Sequence, residues 1–260
     1  MEKPITLLDM LQAGVHFGHQ KSRHNPKMNR FIYTTRSGVN ILDLQQTAQK
    51  LQEVFDFVVD LVARGGSVLF LGTKKQAVSV VKEKAEEVGM PYVNNRWLGG
   101  TFTNFETMYQ RIKRLRKIEA EKVSGDLEKY TKRERLEIER EAEKMRKDFG
   151  GIAAIDTLPQ AMFVVGLNKE KIAIAEARKK GIVVIALADS NCDPEDADFV
   201  VPANDDAVKS IELMTQVIVE AIKEGKSRAS KSQDAKEAEA AKGVKKVTKK
   251  EVKEEVKKEA

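Results

Sequence analysis

Two short runs, Ser67–Leu71 (SVLFL) and Ile182–Ala188 (IVVIALA), do most to limit what this chain can fold into. A strand with one wet face alternates apolar and polar residues, whereas these runs do not alternate. Runs this short, bounded by glycine or charge, read as strands of a parallel sheet covered on both faces. Tyr92-Val93, Met162–Val165 and Phe199–Val201 add shorter strand candidates.

Between the strands the period becomes helical. Leu44, Ala48, Leu51, Phe55, Val58 and Val62 step by three and four, and Gly65-Gly66 follows. Val78, Val81, Ala85 and Val88 end at Gly89, and Ile172 to Lys179 ends at Gly181. Ala207, Ile211, Met214, Ile218 and Ile222 form a last stripe, which Gly225 is expected to close. A shorter helix is expected from Ile5 to Leu11, closed by Gly14. Strands alternating with helices predict an α/β fold: a mostly parallel sheet with helices on both faces.

One charge-dense segment, from Phe105 to Phe149, interrupts this alternation. Phe105, Met108, Ile112 and Leu115 give one narrow apolar seam, and Ile138, Ala142, Met145 and Phe149 another. Ser124-Gly125-Asp126 breaks the first helix, and Thr131 with Glu134 has the form of a capping box that starts the second. Two such helices predict an antiparallel helical hairpin of the coiled-coil kind. Sheet elements lie on both sides of it, so it reads as an insertion. The predicted domains are a core of residues 1–104 and 150–225, an inserted hairpin at 105–149, and a tail at 226–260. The tail holds Lys, Glu, Ala, Ser and Val with no aromatic residue or sustained apolar stripe, and reads as disordered or transiently helical.

The 46 basic and 40 acidic residues leave a net charge of +6, so the distribution matters more than the total. Between Asp9 and Asp43 there is no acid, while Lys21, Arg23, Lys27, Arg30 and Arg36 accumulate. Phe17, His19, His24, Phe31 and Tyr33 lie among them. Phe31-Ile32 and Ile41-Leu42 are expected as two short strands, with Arg36–Gly38 turning between them. A basic loop with interspersed aromatics suits phosphate contacts and base stacking. The first hairpin helix adds Arg111, Lys113, Arg114, Arg116 and Lys117 with no acid among them. At Asn94–Asn104 (NNRWLGGTFTN), Arg96 and Trp97 precede a glycine pair, which fits either an RNA-contacting corner or a structural elbow. Thr73, Lys74 and Lys75 follow a buried strand and could touch the same backbone.

Other chemistries have less support. The Gly72–Lys75 loop lies where α/β enzymes bind phosphate, but neither glycine-rich nucleotide motif is present. A phosphate-binding metabolic enzyme using that loop is the competing reading. Carboxylates near strand ends, including Asp189 and Asp205, could hold a cation with a histidine. Against this, Asn204 reads as a helix N-cap, with Asp205 and Asp206 in the first turn. No nucleophile–base constellation is visible, so no enzyme activity is expected. The single cysteine, Cys192, excludes an intrachain disulfide and suits a reducing cytoplasm. No secretory signal is seen, and the apolar runs are far below the ~20 residues of a membrane span.

Six segments taken together resemble one family. They are AGVHFGHQ at Ala13–Gln20, NPKM at Asn25–Met28, LFLGTKKQA at Leu69–Ala77, NNRWLGGTFTN at Asn94–Asn104, LPQAMFVVG at Leu158–Gly166 and NDDA at Asn204–Ala207. In this order they are similar to the bacterial small-subunit ribosomal protein S-two family. The resemblance implies a flavodoxin-like domain with a protruding helical hairpin, bound to small-subunit ribosomal RNA near the junction of head and body. It implies other small-subunit proteins as neighbours, recruitment of the large mRNA-binding protein S-one, no homo-oligomer, and no required cofactor. It also implies a possible zinc ion at His19, Asp189 and Asp205.

Overall fold

The computed structural model describes residues 5–231, and its centre is a five-stranded parallel sheet. The strands are β4 (Val68–Leu71), β5 (Tyr92–Val93), β6 (Ala161–Val165), β7 (Val183–Ala188) and β8 (Phe199–Pro202), in the order β5-β4-β6-β7-β8. Every residue of β4 and β6 is buried, as the missing alternation predicts. Val68, Phe70, Phe163, Val165, Ile185 and Leu187 face one core, and Leu69, Leu71, Met162, Val164, Val184 and Ala186 face the other. The first core is closed by α2 (Leu44–Ala63), α3 (Val78–Glu87) and a last helix, α7 (residues 208–231). The second is closed by α4 (Phe105–Ser124), Phe149 at the end of α5 (Lys132–Phe149), and α6 (Lys171–Lys179). Helices therefore cover both faces.

The N-terminal segment forms a separate small sheet. It runs α1 (Leu7–Gln12), β1 (Phe17–Gln20), β2 (Ile32–Arg36) and β3 (Val39–Leu42), with the strands antiparallel in the order β1-β3-β2. Ser37 (φ 51°) and Gly38 (φ 78°) turn the chain between β2 and β3, the positive-φ pair a two-residue hairpin loop requires. The expected hairpin is present, but Phe31 belongs to a 3₁₀ turn before β2 and packs inward.

The α4–α5 segment matches its capping signals. Gly125 (φ 81°) ends α4, and Thr131 with Glu134 forms the reciprocal box that starts α5. The helices lie side by side through Arg114–Glu141, Arg146–Glu119 and Lys122–Glu139 ion pairs. Among the described residues no helix is long and apolar enough to cross a membrane.

One sequence expectation is corrected at the C-terminal end. Gly225 does not stop the last helix; α7 continues through it to residue 231. Gly225 is buried where a Cβ atom would lie 2.8 Å from the Val59 carbonyl oxygen and 2.8 Å from Val62 Cβ. It permits close helix contact instead of helix exit. The first six residues of the expected tail (226–231) are thus helical, and Lys226 Nζ donates to the Val88 carbonyl at 2.5 Å. The rest of the tail lies outside the described residues.

Candidate nucleic-acid interface

The small sheet is fastened to the carboxyl ends of β7 and β8. The His19 N–H donates to Asp189 Oδ1 (3.1 Å) and Ser190 Oγ (2.8 Å), and the Asn25 N–H donates to the Ser190 carbonyl (2.9 Å). Gly18 is needed here, because a Cβ would meet Ser190 Oγ at 2.9 Å and the Asn40 carbonyl at 3.1 Å. Met28 and Phe31 anchor the intervening turns in the second core. The basic loop of the sequence is therefore a rigid presenting surface.

Its cations are not equivalent. Lys27 Nζ lies 2.9 Å from Asp193 and 2.5 Å from Glu195, so its charge is neutralised inside the molecule. Lys21, Arg23, Arg30 and Arg36 are exposed and make no ion pair among the described residues. Arg30 stacks over the Phe31 ring at 4.7 Å. Tyr33, on the outer strand β2, is 77% exposed. Lys21 follows β1 and Arg36 ends β2, both joined to the same end of β3 by Lys21 N–H to Gly38 O and Arg36↔Val39 pairing.

The Arg96–Trp97 corner is an elbow built round a buried acid. The Glu176 carboxylate on α6 accepts the N–H groups of Gly100 (2.6 Å), Phe102 (2.9 Å) and Thr103 (3.2 Å), and the Trp97 indole N–H (3.4 Å). Burial raises its pKa, but these donors outweigh burial and hold it below the ordinary value. Gly100 (φ 92°) makes the convergence possible. Trp97 is buried edge-on to Phe102, so its expected role against RNA is corrected to core packing; Arg96 remains exposed. Glu176 was missed by sequence reasoning, although an acid beside Ala173, Ile174 and Ala177 on a buried helix stripe is the signal for such a site.

The uniform charge of α4 is also partly neutralised. Arg114 is held by two bonds of 2.8 Å to Glu141, and Arg116 by Asp156 and the Ala153 and Ile155 carbonyls. Lys117 lies 3.8 Å from Glu121. Arg111 makes no ion pair among the described residues, and Lys113 sits over the Tyr109 ring at 4.5 Å.

The switch point between β4 and β6, where doubly wound sheets commonly bind ligands, is filled by the chain itself. Thr73 Oγ1 donates to buried Glu170 at 2.5 Å, and Lys169 Nζ donates to the Thr73 carbonyl at 2.7 Å. Lys74 lies across Gly166, where a Cβ would meet its Cε at 2.8 Å, and ends 2.7 Å from Asp205 and 2.9 Å from Asp206. Burial works against charge on Lys74, but the two aspartates outweigh it and raise its pKa. Lys74 is thus an internal counter-ion in this structure, whereas Lys75 is exposed.

The candidate metal residues do converge here. His19 Nδ1 is 3.0 Å from Asp189, and Nε2 is 3.2 Å from Asp206. His19, Asp205 and Asp206 offer ligand atoms within 4.8 Å of one another, so an imidazole and two carboxylates fit zinc in donor type. Lys74 already neutralises those carboxylates. Burial pushes the Asp205 pKa up to about 6 against the pull of Lys74. Asp206 is one of the strand-end carboxylates that the sequence offers for a cation, though not one of the three residues that the family resemblance implies for zinc. Asn204 accepts the Asp206 and Ala207 N–H groups, but α7 starts only at residue 208, so Asp205 and Asp206 precede its first turn and face Lys74.

Fold and site together define an α/β scaffold that carries cations without acidic partners on a rigid outer sheet. The Ribosomal protein S2 family model matches residues 10–225, and the chain belongs to that family. It is 51% identical over 222 residues to "Small ribosomal subunit protein uS2" of Acidothermus cellulolyticus, covering 85% of this chain and 81% of that protein. Proteins of the same name from Salinispora arenicola and Corynebacterium urealyticum are 50% and 49% identical, over 85% and 91% of this chain and 80% and 88% of theirs. The chain is therefore a ribosomal protein with a structural role in translation, not an enzyme.

Proposed function

We propose that this protein is a structural component of the cytoplasmic small ribosomal subunit, and that it binds ribosomal RNA through the outer face of its N-terminal sheet. The observation that carries this is the contrast among its cations. Lys21, Arg23, Arg30 and Arg36 have no acidic partner among the described residues, whereas Lys27, Lys74, Arg114 and Arg116 do. Exposed Tyr33 offers a stacking surface among them. Lys75, Arg96, Arg111 and Lys113 extend the set to separated points, which suits a folded RNA read by shape and backbone.

The family resemblance extends this reading to a place near the junction of head and body and to support for recruiting protein S-one. It also supports a monomeric protomer. The strand order, renumbered 2-1-3-4-5, supports a flavodoxin-like core of residues 1–104 and 150–225. The cross-helix ion pairs support reading residues 105–149 as an antiparallel coiled-coil insertion. If zinc binds, His19 with Asp205 and Asp206, and Asp189 behind His19, would hold it as a structural tie between β1 and the ends of β7 and β8.

The test is co-sedimentation with the small subunit at low and high salt. Replacing Lys21, Arg23, Arg30 and Arg36 with Gln should weaken association and leave the fold intact. A surface with ~6–10 phosphate contacts loses roughly 10³–10⁵ in affinity between ~50 and ~200 mM salt. Unchanged association of the variant would remove the N-terminal sheet from the interface.

A further inference from the structure

Helix α1 has more apolar surface than its own chain covers. Met10 is buried, yet Leu7, Leu8 and Leu11 are 46%, 66% and 56% exposed. Beside them, between α1 and α2, lies a cavity of about 1480 Å³. Leu7, Leu8, Ala48 and Leu51 line its apolar part, and Asp43, Glu53 and Asp56 supply its charge. Among the described residues no lysine or arginine lines it, in a chain whose net charge is +6. Lys50 reaches Glu53 at 2.8 Å, but among the described residues Asp43 and Asp56 have only uncharged partners: the Gln45 N–H and Gln46 amide for Asp43, and the Gln52 amide for Asp56.

These features narrow the occupant. The volume of about 1480 Å³ exceeds the roughly 300–1,000 Å³ of most small-molecule sites. The acids disfavour a phosphate backbone, so this groove is chemically unlike the RNA-facing sheet. What fits is a row of apolar side chains at helical spacing, flanked by cations to meet Asp43 and Asp56, which is the helix-in-groove mode.

We propose that the α1–α2 groove is a protein-docking site for a basic amphipathic helix of a partner protein. Leu7, Leu8 and Leu51 take the apolar stripe, and Asp43 and Asp56 select its sign of charge. The site is independent of the RNA reading.

The full chain should be titrated with two labelled synthetic helices, one with a leucine stripe and lysine elsewhere, the other with glutamate in place of lysine, followed by fluorescence anisotropy. The lysine helix should bind and the glutamate helix should not. Leu7→Ser with Leu8→Ser should weaken the lysine helix by roughly tenfold or more, with an unchanged thermal transition because both side chains are exposed. Asp56→Lys should weaken the lysine helix and strengthen the glutamate helix, a reversal that general stickiness would not give. Equal binding of both helices, or indifference to these variants, would overturn the proposal. So would a dimer in sedimentation that Leu7→Ser/Leu8→Ser dissociates, since a second copy would then be the occupant. Binding that appears only after removal of residues 232–260 would assign the groove to the chain's own terminus and overturn it equally.

Discussion

Glu176 Oε2 accepts the Phe102 N–H at 2.9 Å, and that bond joins α6 to the turn entering α4. The same carboxylate holds Gly100, Thr103 and Trp97, so one buried acid organises the corner. Glu176→Ala should cost about 2–4 kcal/mol, because it leaves buried donors unpaired. Urea unfolding would measure the loss, and a cost near zero would mean that water replaces the carboxylate.

The same group sets a pH dependence. Its folded pKa lies below its ordinary value of 4.5. The carboxylate therefore adds stability that is fully present above pH 4.5 and is lost as pH falls through the depressed folded value. Glu176→Gln should flatten the stability profile on the acid side of pH 4.5 relative to the parent protein. Parallel profiles for the two would contradict this assignment.

Gly225 gives a prediction whose sign separates two readings. Helix propensity alone says that Gly→Ala inside a helix gains ~1 kcal/mol. A Cβ at Gly225 would press on the Val59 carbonyl and Val62, so Gly225→Ala should instead lose roughly 1–3 kcal/mol. A raised thermal midpoint would show that α2 and α7 can separate at no cost.

Both cases show what a sequence carries and what it hides. The sheet was readable because β4, β6 and β7 lack alternation, and α5 was readable because Thr131 and Glu134 act three residues apart. Those signals are local. Gly225 looks the same whether it ends a helix or lets another helix close in, and only Val59, 166 positions away (225 − 59), decides. The cations of α4 likewise look uniform until Glu141 and Asp156 arrive from elsewhere in the chain. Charge runs in sequence report composition, whereas binding depends on which charges remain unpaired after folding.

That difference can be measured on α4 itself. Replacing Arg111 and Lys113 with Gln should reduce the salt dependence of subunit association by roughly 0.7–0.9 in log–log slope for each phosphate that is no longer neutralised. Replacing Arg114 and Arg116 with Gln should leave the slope unchanged, because both guanidinium groups are occupied within the protein. Equal effects of the two pairs would show that the internal ion pairs open on binding.

Lys74 poses the sharpest energetic question, since it is the counter-ion of a nearly inaccessible carboxylate. Asp205 is 1% exposed, and its carboxylate lies 2.7 Å from the ammonium. Removing one partner of a buried pair typically costs about 3–5 kcal/mol, because the remaining charge is uncompensated. Lys74→Met should therefore destabilise the protein by an amount of that order at neutral pH. Asp205→Asn placed on top should recover part of the loss, since it removes the stranded charge while keeping much of the shape. A double-mutant cycle in urea tests this directly. Additive losses would mean that Asp205 is compensated without the lysine, with His19, 3.2 Å from the neighbouring Asp206, as the remaining cationic candidate. A positive coupling would establish that Lys74 fills the switch point as structure, so that its ammonium is not available to phosphate.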